Sequence, residues 1–429
     1  MMHKIYNMIN KDSKILSIVL YLFIIAALAV GYIQSIQYYK SFNFIINQGI
    51  LKRSLIMLPL FVVIIYTVVF LLPHRIQELT SLYWLLFLIL STIPLLIVYI
   101  MSGLGDSKNS PIFIYTIALV GLIGVLLTRK SDFKIPQINI SPKTFWILLI
   151  SFMVIGYGYI IYKLGMPTKI LQAFKDVYSV RLDYRDHAGK FVDYFVQWLG
   201  NIINPFILAF LIYKRRYKLV FIPFVLQIML YGYAAYKTQF VVLLLAPFFG
   251  MILRYGIKRS FIEKIMAVAV ALGIVALYLK KLSIYLLIII RVFLWPSLIA
   301  LEYYDFFSMY PKMKLAQGIL GHFFKNIYNM DPSFYMATVY YGRPDMRLNV
   351  TWYGDAYMNF GIIGIVLFAI LLYFIMIIIR SIEHKNILLV STLLFGGIMA
   401  LFNGPILTTL LTSGLGLGLL LAYLLPEEV

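Results

Sequence analysis

Apolar runs of roughly 20 residues follow one another along almost the whole chain, each long enough to cross a hydrocarbon core as a helix. They lie near residues 15–35, 54–72, 82–101, 111–128, 144–162, 192–213, 219–235, 238–254, 264–280, 354–379, 387–403 and 406–425. This pattern predicts an all-α polytopic membrane protein of about twelve spans. Two polar stretches, 163–190 and 302–353, break the sequence of apolar runs. No repeat period or low-complexity linker divides the chain, so residues 1–429 are expected to form a single integral membrane domain. The first run carries Ala27-Leu28-Ala29, a faint signal-peptidase pattern, but its length favours an uncleaved first span.

Composition agrees with the pattern: 62% of the 429 residues are hydrophobic and 13% are charged. The formal charge of +20 could suggest nucleic acid, but the basic residues cluster at the ends of apolar runs. The clusters are Lys4/Lys11/Lys14, Arg129/Lys130/Lys134/Lys143, Lys214/Arg215/Arg216/Lys218 and Arg254/Lys258/Arg259/Lys264. That distribution is the positive-inside signature, so the charge is read as topology and no nucleic-acid partner is expected. Absence of cysteine removes disulfides, thiolate metal sites and cysteine nucleophiles.

Residues 283–301 are apolar but carry Arg291 at their centre and Pro296 soon after. If they crossed, the next helix would end at Arg380 and Lys385 on the outside, against the charge rule. An interfacial or re-entrant segment is therefore expected, with both termini in the cytoplasm and the 163–190 and 302–353 loops external. The turn Tyr236-Lys237-Thr238 falls on the same outer side.

The candidate chemistry lies in these outer features. Ile170, Leu171, Phe174, Val177 and Tyr178 have the spacing of one helical face within 166–187, which Arg181 and Arg185 continue. Guanidinium groups suit bidentate pairing with phosphate oxygens, so a lipid-phosphate headgroup is one reading. Local salt bridges to Asp183 and Asp186 are the other. Arg291, Trp295, Leu298, Glu302 and Asp305 would share a helical face able to hold a phosphate and a sugar, if Arg291 does not simply snorkel. Lys237 is either a ligand or an interfacial anchor. In the second loop, His322 could act as a general base, and Arg343, Arg347, Asn349, Asp355 and Asn359 could bind substrate. Loop aromatics could stack on sugar rings or on the membrane surface. Walker, HExxH and GxSxG motifs are missing, and no metal site or cofactor is expected.

Four segments carry a resemblance: Val180-Arg181-Leu182-Asp183-Tyr184-Arg185; Lys237-Thr238-Gln239; Ile290-Arg291-Val292-Phe293-Leu294-Trp295-Pro296 with Tyr303-Tyr304-Asp305-Phe306-Phe307; and Asn349 with 354–364. With the topology, they make the chain resemble the Wzy-type polymerases of O-antigen, capsule and exopolysaccharide repeat units. The resemblance implies a GT-C-like fold of the polymerase–ligase type in a bacterial inner membrane, with the active site facing the periplasm or exterior. It implies a glycosyltransferase that moves a growing glycan from undecaprenyl diphosphate to a new lipid-linked repeat, needing neither metal nor nucleotide. Membrane lipid, a chain-length regulator and a flippase are the implied partners. Arg181, Arg185 and Arg291 would neutralise the leaving diphosphate. The base stays open among Asp183, Asp186, His322 and Asp355. Lys237 departs from the arginine common in the related ligases. A lipid-linked oligosaccharide flippase, an O-antigen ligase and a non-enzymatic scaffold are the alternatives.

Overall fold

The computed structural model describes residues 2–38, 44–105, 107, 109–130, 133, 135, 136, 138, 140–168, 170–317, 321, 323, 324 and 326–427, with side chains from Lys14 onward except at 129 and 130. In chain order the helices are α1 (Met2–Tyr38), α2 (Ile50–Leu71), α3 (Leu79–Met101), α4 (Ser110–Lys130), α5 (Pro142–Leu164), α6 (Ile170–Lys175), α7 (Val177–His187), α8 (Gly189–Tyr213) and α9 (Tyr217–Ala234). They continue as α10 (Lys237–Tyr255), α11 (Arg259–Tyr278), α12 (Leu282–Met309), α13 (Pro332–Tyr341), α14 (Trp352–Ile382), α15 (Ile387–Ala400), α16 (Ile406–Leu411) and α17 (Leu415–Leu424). Among the described residues, eleven helices are long and apolar enough to cross a membrane, and α15 and α17 are shorter apolar helices. The chain is therefore an all-α polytopic membrane protein. One two-residue antiparallel bridge joins Arg75–Ile76 (β1) to Ile257–Lys258 (β2).

Sequence signals set many of the ends. Ser141 accepts a hydrogen bond from the Thr144 amide at 3.1 Å, with Pro142 at the first turn of α5. Asp176 accepts from the amides of Tyr178 and Ser179, each at 3.2 Å, and so starts α7. This cap splits the helix expected over 166–187 into α6 and α7. It also turns the expected apolar stripe outward: Leu171, Phe174 and Tyr178 are exposed, whereas Ala173, Val180 and Tyr184 are buried.

The core surrounds α3, a helix apolar on every side and almost wholly buried. Its Trp84 and Phe87 pack against α4 and α14, and its Tyr83 packs against Phe402. Gly124 of α4 lies flush on Trp84; a Cβ there would come within 2.3 Å of the indole.

Two families of contacts define the two sides of the bundle. On one side Arg259 hydrogen-bonds the carbonyl of Leu72 at 3.0 Å and pairs with buried Glu263, Lys385 donates to the carbonyls of Tyr423 and Leu425, and Tyr423 donates to that of Pro136. This is the basic side, where Arg254 also stacks on Tyr213. On the opposite side Arg53 caps the end of α3 through the carbonyls of Tyr99, Ser102 and Leu104, and the Asn47 amide bonds the Met101 carbonyl.

Helix α12 begins and ends on this opposite side. Near its start Tyr285 meets Ser35, in the last turn of α1, at 2.8 Å; near its end Asp305 accepts the Gly105 amide at 3.3 Å, just beyond α3. It is one 28-residue helix rather than a segment ending at 301, so the polar loop begins after Met309. A π-helical stretch over Leu286–Leu294 carries it past Pro296 without a break.

Helix α14 also departs from a simple span. Gly361 has φ +67°, a conformation glycine adopts without a Cβ clash. A Cβ at Gly364 would fall 2.2 Å from the carbonyl oxygen of Ala356. In a straight helix those residues would be about 12 Å apart. The chain therefore doubles back at Gly361, and its first leg enters from within the core, where Trp352 stacks on Phe87 at 6.0 Å.

Candidate functional site

Asp193 sits in the second turn of α8, an acid inside an apolar helix. One carboxylate oxygen accepts the hydroxyls of Tyr184 from α7 and Tyr236 from the α9–α10 turn, each at 3.2 Å. The two rings meet edge to face at 5.9 Å. Burial first, then the Asp193 carboxylate, pushes both phenols above their ordinary range, so each stays a donor. Below Asp193 the same helical face carries Gln197 and Asn201, linked at 2.8 Å. A deeper buried chain then runs from Tyr157 through Asn204 and Gln227 to Gln239. A carboxylate placed this way is costly in a membrane helix unless donors hold it, and donors surround it here.

Three arginines gather on this cluster. Arg181 donates to the Ala235 carbonyl at 3.0 Å and lies 5.8 Å from the centre of the Tyr236 ring. Ala235 holds a left-handed turn at φ +51°, and the arginine contact bridges it to α7. The Arg181 Nε is buried and has no hydrogen-bond partner among the described residues. Arg185 is exposed one turn on, within electrostatic reach of the Tyr236 hydroxyl. From the other polar loop, Arg347 is exposed within electrostatic reach of Asp193 and packs its guanidinium 4.7 Å from the Phe334 ring. The two loops thus meet on the side of the bundle opposite the basic clusters. An oxyanion fits these donors: a buried Nε without a partner among the described residues, two further guanidiniums, and phenols already committed to the carboxylate.

The other sequence candidates lie elsewhere or are engaged in packing. Asp183 is exposed and contacts His187 of the same helix at 3.5 Å. Arg343 pairs with Asp345 at 3.0 Å on an exposed turn. Lys237 is exposed at the start of α10, beside Tyr236. Asn349 is exposed between buried Leu348 and Val350. Arg291 is exposed on α12, next to the buried stripe of Ile289, Ile290, Phe293 and Leu294, and does not share the face of Glu302. The π-helical stretch shifts the register on which that shared face depended.

Trp295 and Glu302 dock α13: the Trp295 ring packs on Tyr341, whose hydroxyl donates to Glu302 at 2.5 Å. Asp355 and Asn359 are buried and hold the 311–317 segment. The Leu315 amide reaches the Asn359 side chain at 2.8 Å, and Gln317 reaches Asp355 at 3.4 Å. His322 lies outside the described residues. Among the described residues no group of three or more His, Asp or Glu side chains is arranged to hold a metal ion.

Sequence reasoning about the loops misses Asp193, because the polar loop ends at 190 and the residue falls in the next apolar run. A signal was there: Asp193, Gln197 and Asn201 recur at four-residue spacing on a helix otherwise fit for lipid. Tyr184 and Tyr236 carry no such signal, since tyrosines are abundant throughout the chain. No protein-family model matches this sequence, and no curated protein or solved structure matches it either.

Proposed function

We propose that this protein is a bacterial inner-membrane polymerase of oligosaccharide repeat units carried on undecaprenyl diphosphate, the activity implied by its resemblance to the Wzy-type enzymes. The observation that carries this reading is the gathering of Arg181, Arg185 and Arg347 around the Asp193–Tyr184–Tyr236 cluster. The basic side is then the cytoplasm, with both termini there, and the cluster faces the periplasm or exterior.

In the reaction, the acceptor hydroxyl of a new lipid-linked repeat attacks the anomeric carbon of the growing glycan. A glycosidic bond forms, the bond to the carrier diphosphate breaks, and the hydroxyl proton passes to the Asp193 carboxylate. Negative charge grows on the departing diphosphate, so pre-placed guanidiniums favour the transition state over the ground state. We favour Asp193 as the base over Asp183, Asp186, Asp355 and His322. Its carboxylate lies within electrostatic reach of Arg347 and is oriented by two phenols that remain donors. Arg343, Lys237 and Asn349 remain candidates for glycan contacts at the rim.

The test uses the purified full chain in lipid nanodiscs with a prenyl diphosphate-linked repeat of defined length. Longer glycans should appear with one prenyl diphosphate released per repeat added. Release without chain growth, or movement of the lipid between leaflets without release, would refute the polymerase reading.

A further inference from the structure

On the basic side, away from the Asp193 cluster, a cavity of about 440 Å³ opens where the ends of α2, α3, α4, α11 and α14 converge beside Lys14 of α1. Four cations line it, Lys14, Arg75, Arg259 and Arg380, against one carboxylate, Glu78. Those charges are unequally used. Arg259 pairs with Glu263 at 3.0 Å and holds α2 carbonyls, and Arg380 reaches Glu78 at 3.5 Å. Lys14 sits 4.8 Å from the Phe70 ring centre and Arg75 is tied through its backbone to Lys258; among the described residues no carboxylate pairs with either side chain. The last turn of α2 supplies an apolar wall beside these heads.

We propose that this cavity binds the phosphate group of an anionic molecule on the basic side of the membrane, with Lys14 and Arg75 as its principal ligands. His74, at the mouth, reports the same field. Burial first, then Arg259, Lys258 and Arg75, pulls its imidazole below the ordinary histidine range. It therefore adds a neutral nitrogen near pH 7 rather than a fifth charge. An apolar wall beside cationic heads suits a membrane lipid, whose phosphate lies at that depth and whose chains continue along α2. A soluble phosphate offers the same oxygens without the chains.

Thermal unfolding of the detergent-purified full chain, titrated with dioctanoyl phosphatidylglycerol, dioctanoyl phosphatidylcholine or inorganic phosphate, separates the two sources. Stabilisation that saturates with the glycerol lipid alone identifies a lipid headgroup; equal saturation with inorganic phosphate identifies a free phosphate. Each cation near a lipid surface contributes about 1 kcal/mol, so Lys14→Gln and Arg75→Gln should each raise the apparent Kd about five-fold, and the double variant about thirty-fold. Lys218→Gln, basic but outside the cavity, should leave the Kd unchanged. No saturable stabilisation by either anion, or equal affinity in wild type and double variant, overturns the proposal. Neither result bears on polymerisation, which is read on the opposite side.

Discussion

Asp193→Asn keeps the shape of the side chain and removes its charge and its ability to take a proton. In the folded protein the carboxylate accepts two phenol hydroxyls at 3.2 Å, and the amide oxygen of asparagine can accept the same two. A hydrogen bond to a charged acceptor contributes about 1.5–3 kcal/mol against about 0.5–1.5 for a neutral one, so two weakened bonds cost roughly 2 kcal/mol. Relief of the desolvation of a charge held within α8 acts in the opposite direction. The fold should therefore survive, with a melting temperature within a few degrees of wild type. Rate should not survive: losing a general base costs about 10²–10⁴-fold, or roughly 3–5 kcal/mol of barrier. The assay is chain growth on a lipid-linked repeat by the nanodisc-embedded variant, beside its thermal melt. Tyr236→Phe should lose about ten-fold, because one orienting donor goes and the base stays. Wild-type chain growth by a folded Asp193→Asn protein would remove the base from this site, whatever the arginines do.

Further expectations concern the arginines and the fold. Arg181→Lys keeps a charge but loses the planar fork and the contact to Ala235, so polymer yield should fall at least ten-fold at unchanged protein level. Arg291→Lys, compared in the same strain, separates an exposed α12 arginine from the cluster: lost polymer gives it a place on the diphosphate, and normal chain lengths exclude it. Arg259→Met leaves Glu263 buried without its partner and should destabilise by about 3–5 kcal/mol; adding Glu263→Gln should recover part of that, read by thermal unfolding in detergent. Gly124→Ala forces a methyl into the Trp84 indole and should cost about 1–3 kcal/mol by the same measurement.

Lys312 gives a pH-dependent signature. Burial pulls its ammonium down to about 8, so between that pH and the ordinary lysine range the unfolded chain binds more protons than the folded one. Stability should therefore rise as pH increases through this window, by about 1–2 kcal/mol after allowance for its partial exposure. Lys312→Met should abolish the slope; an unchanged slope would assign it to other groups.

The sequence by itself determined the membrane class, the positions of most spans and the two-sided character of the chain. Apolar length and basic run-ends are local properties, and the bilayer imposes them one segment at a time. It also marked 283–301 as a segment apart from the other apolar runs, and in the structure that segment belongs to the longer helix α12, which continues to Met309. From the sequence Arg181 and Arg185 were grouped with Arg291, and Arg347 stood only among the substrate-binding candidates of the second loop; the structure places Arg347, not Arg291, near the Asp193 cluster.

Tertiary structure decided what those loops meet. Asp193 takes its place from α7 and from the Tyr236 turn, segments whose approach no local pattern encodes. Doubling back at Gly361 turned Asp355 and Asn359 from candidate ligands into struts for the 311–317 segment. The π-helical stretch moved Arg291 off the face of Glu302. The first is a contact between distant segments, and the other two are backbone departures from regular helix geometry. Such features follow from tertiary packing and from departures from ideal helix geometry, whereas periodicity reports only which face of a helix is apolar.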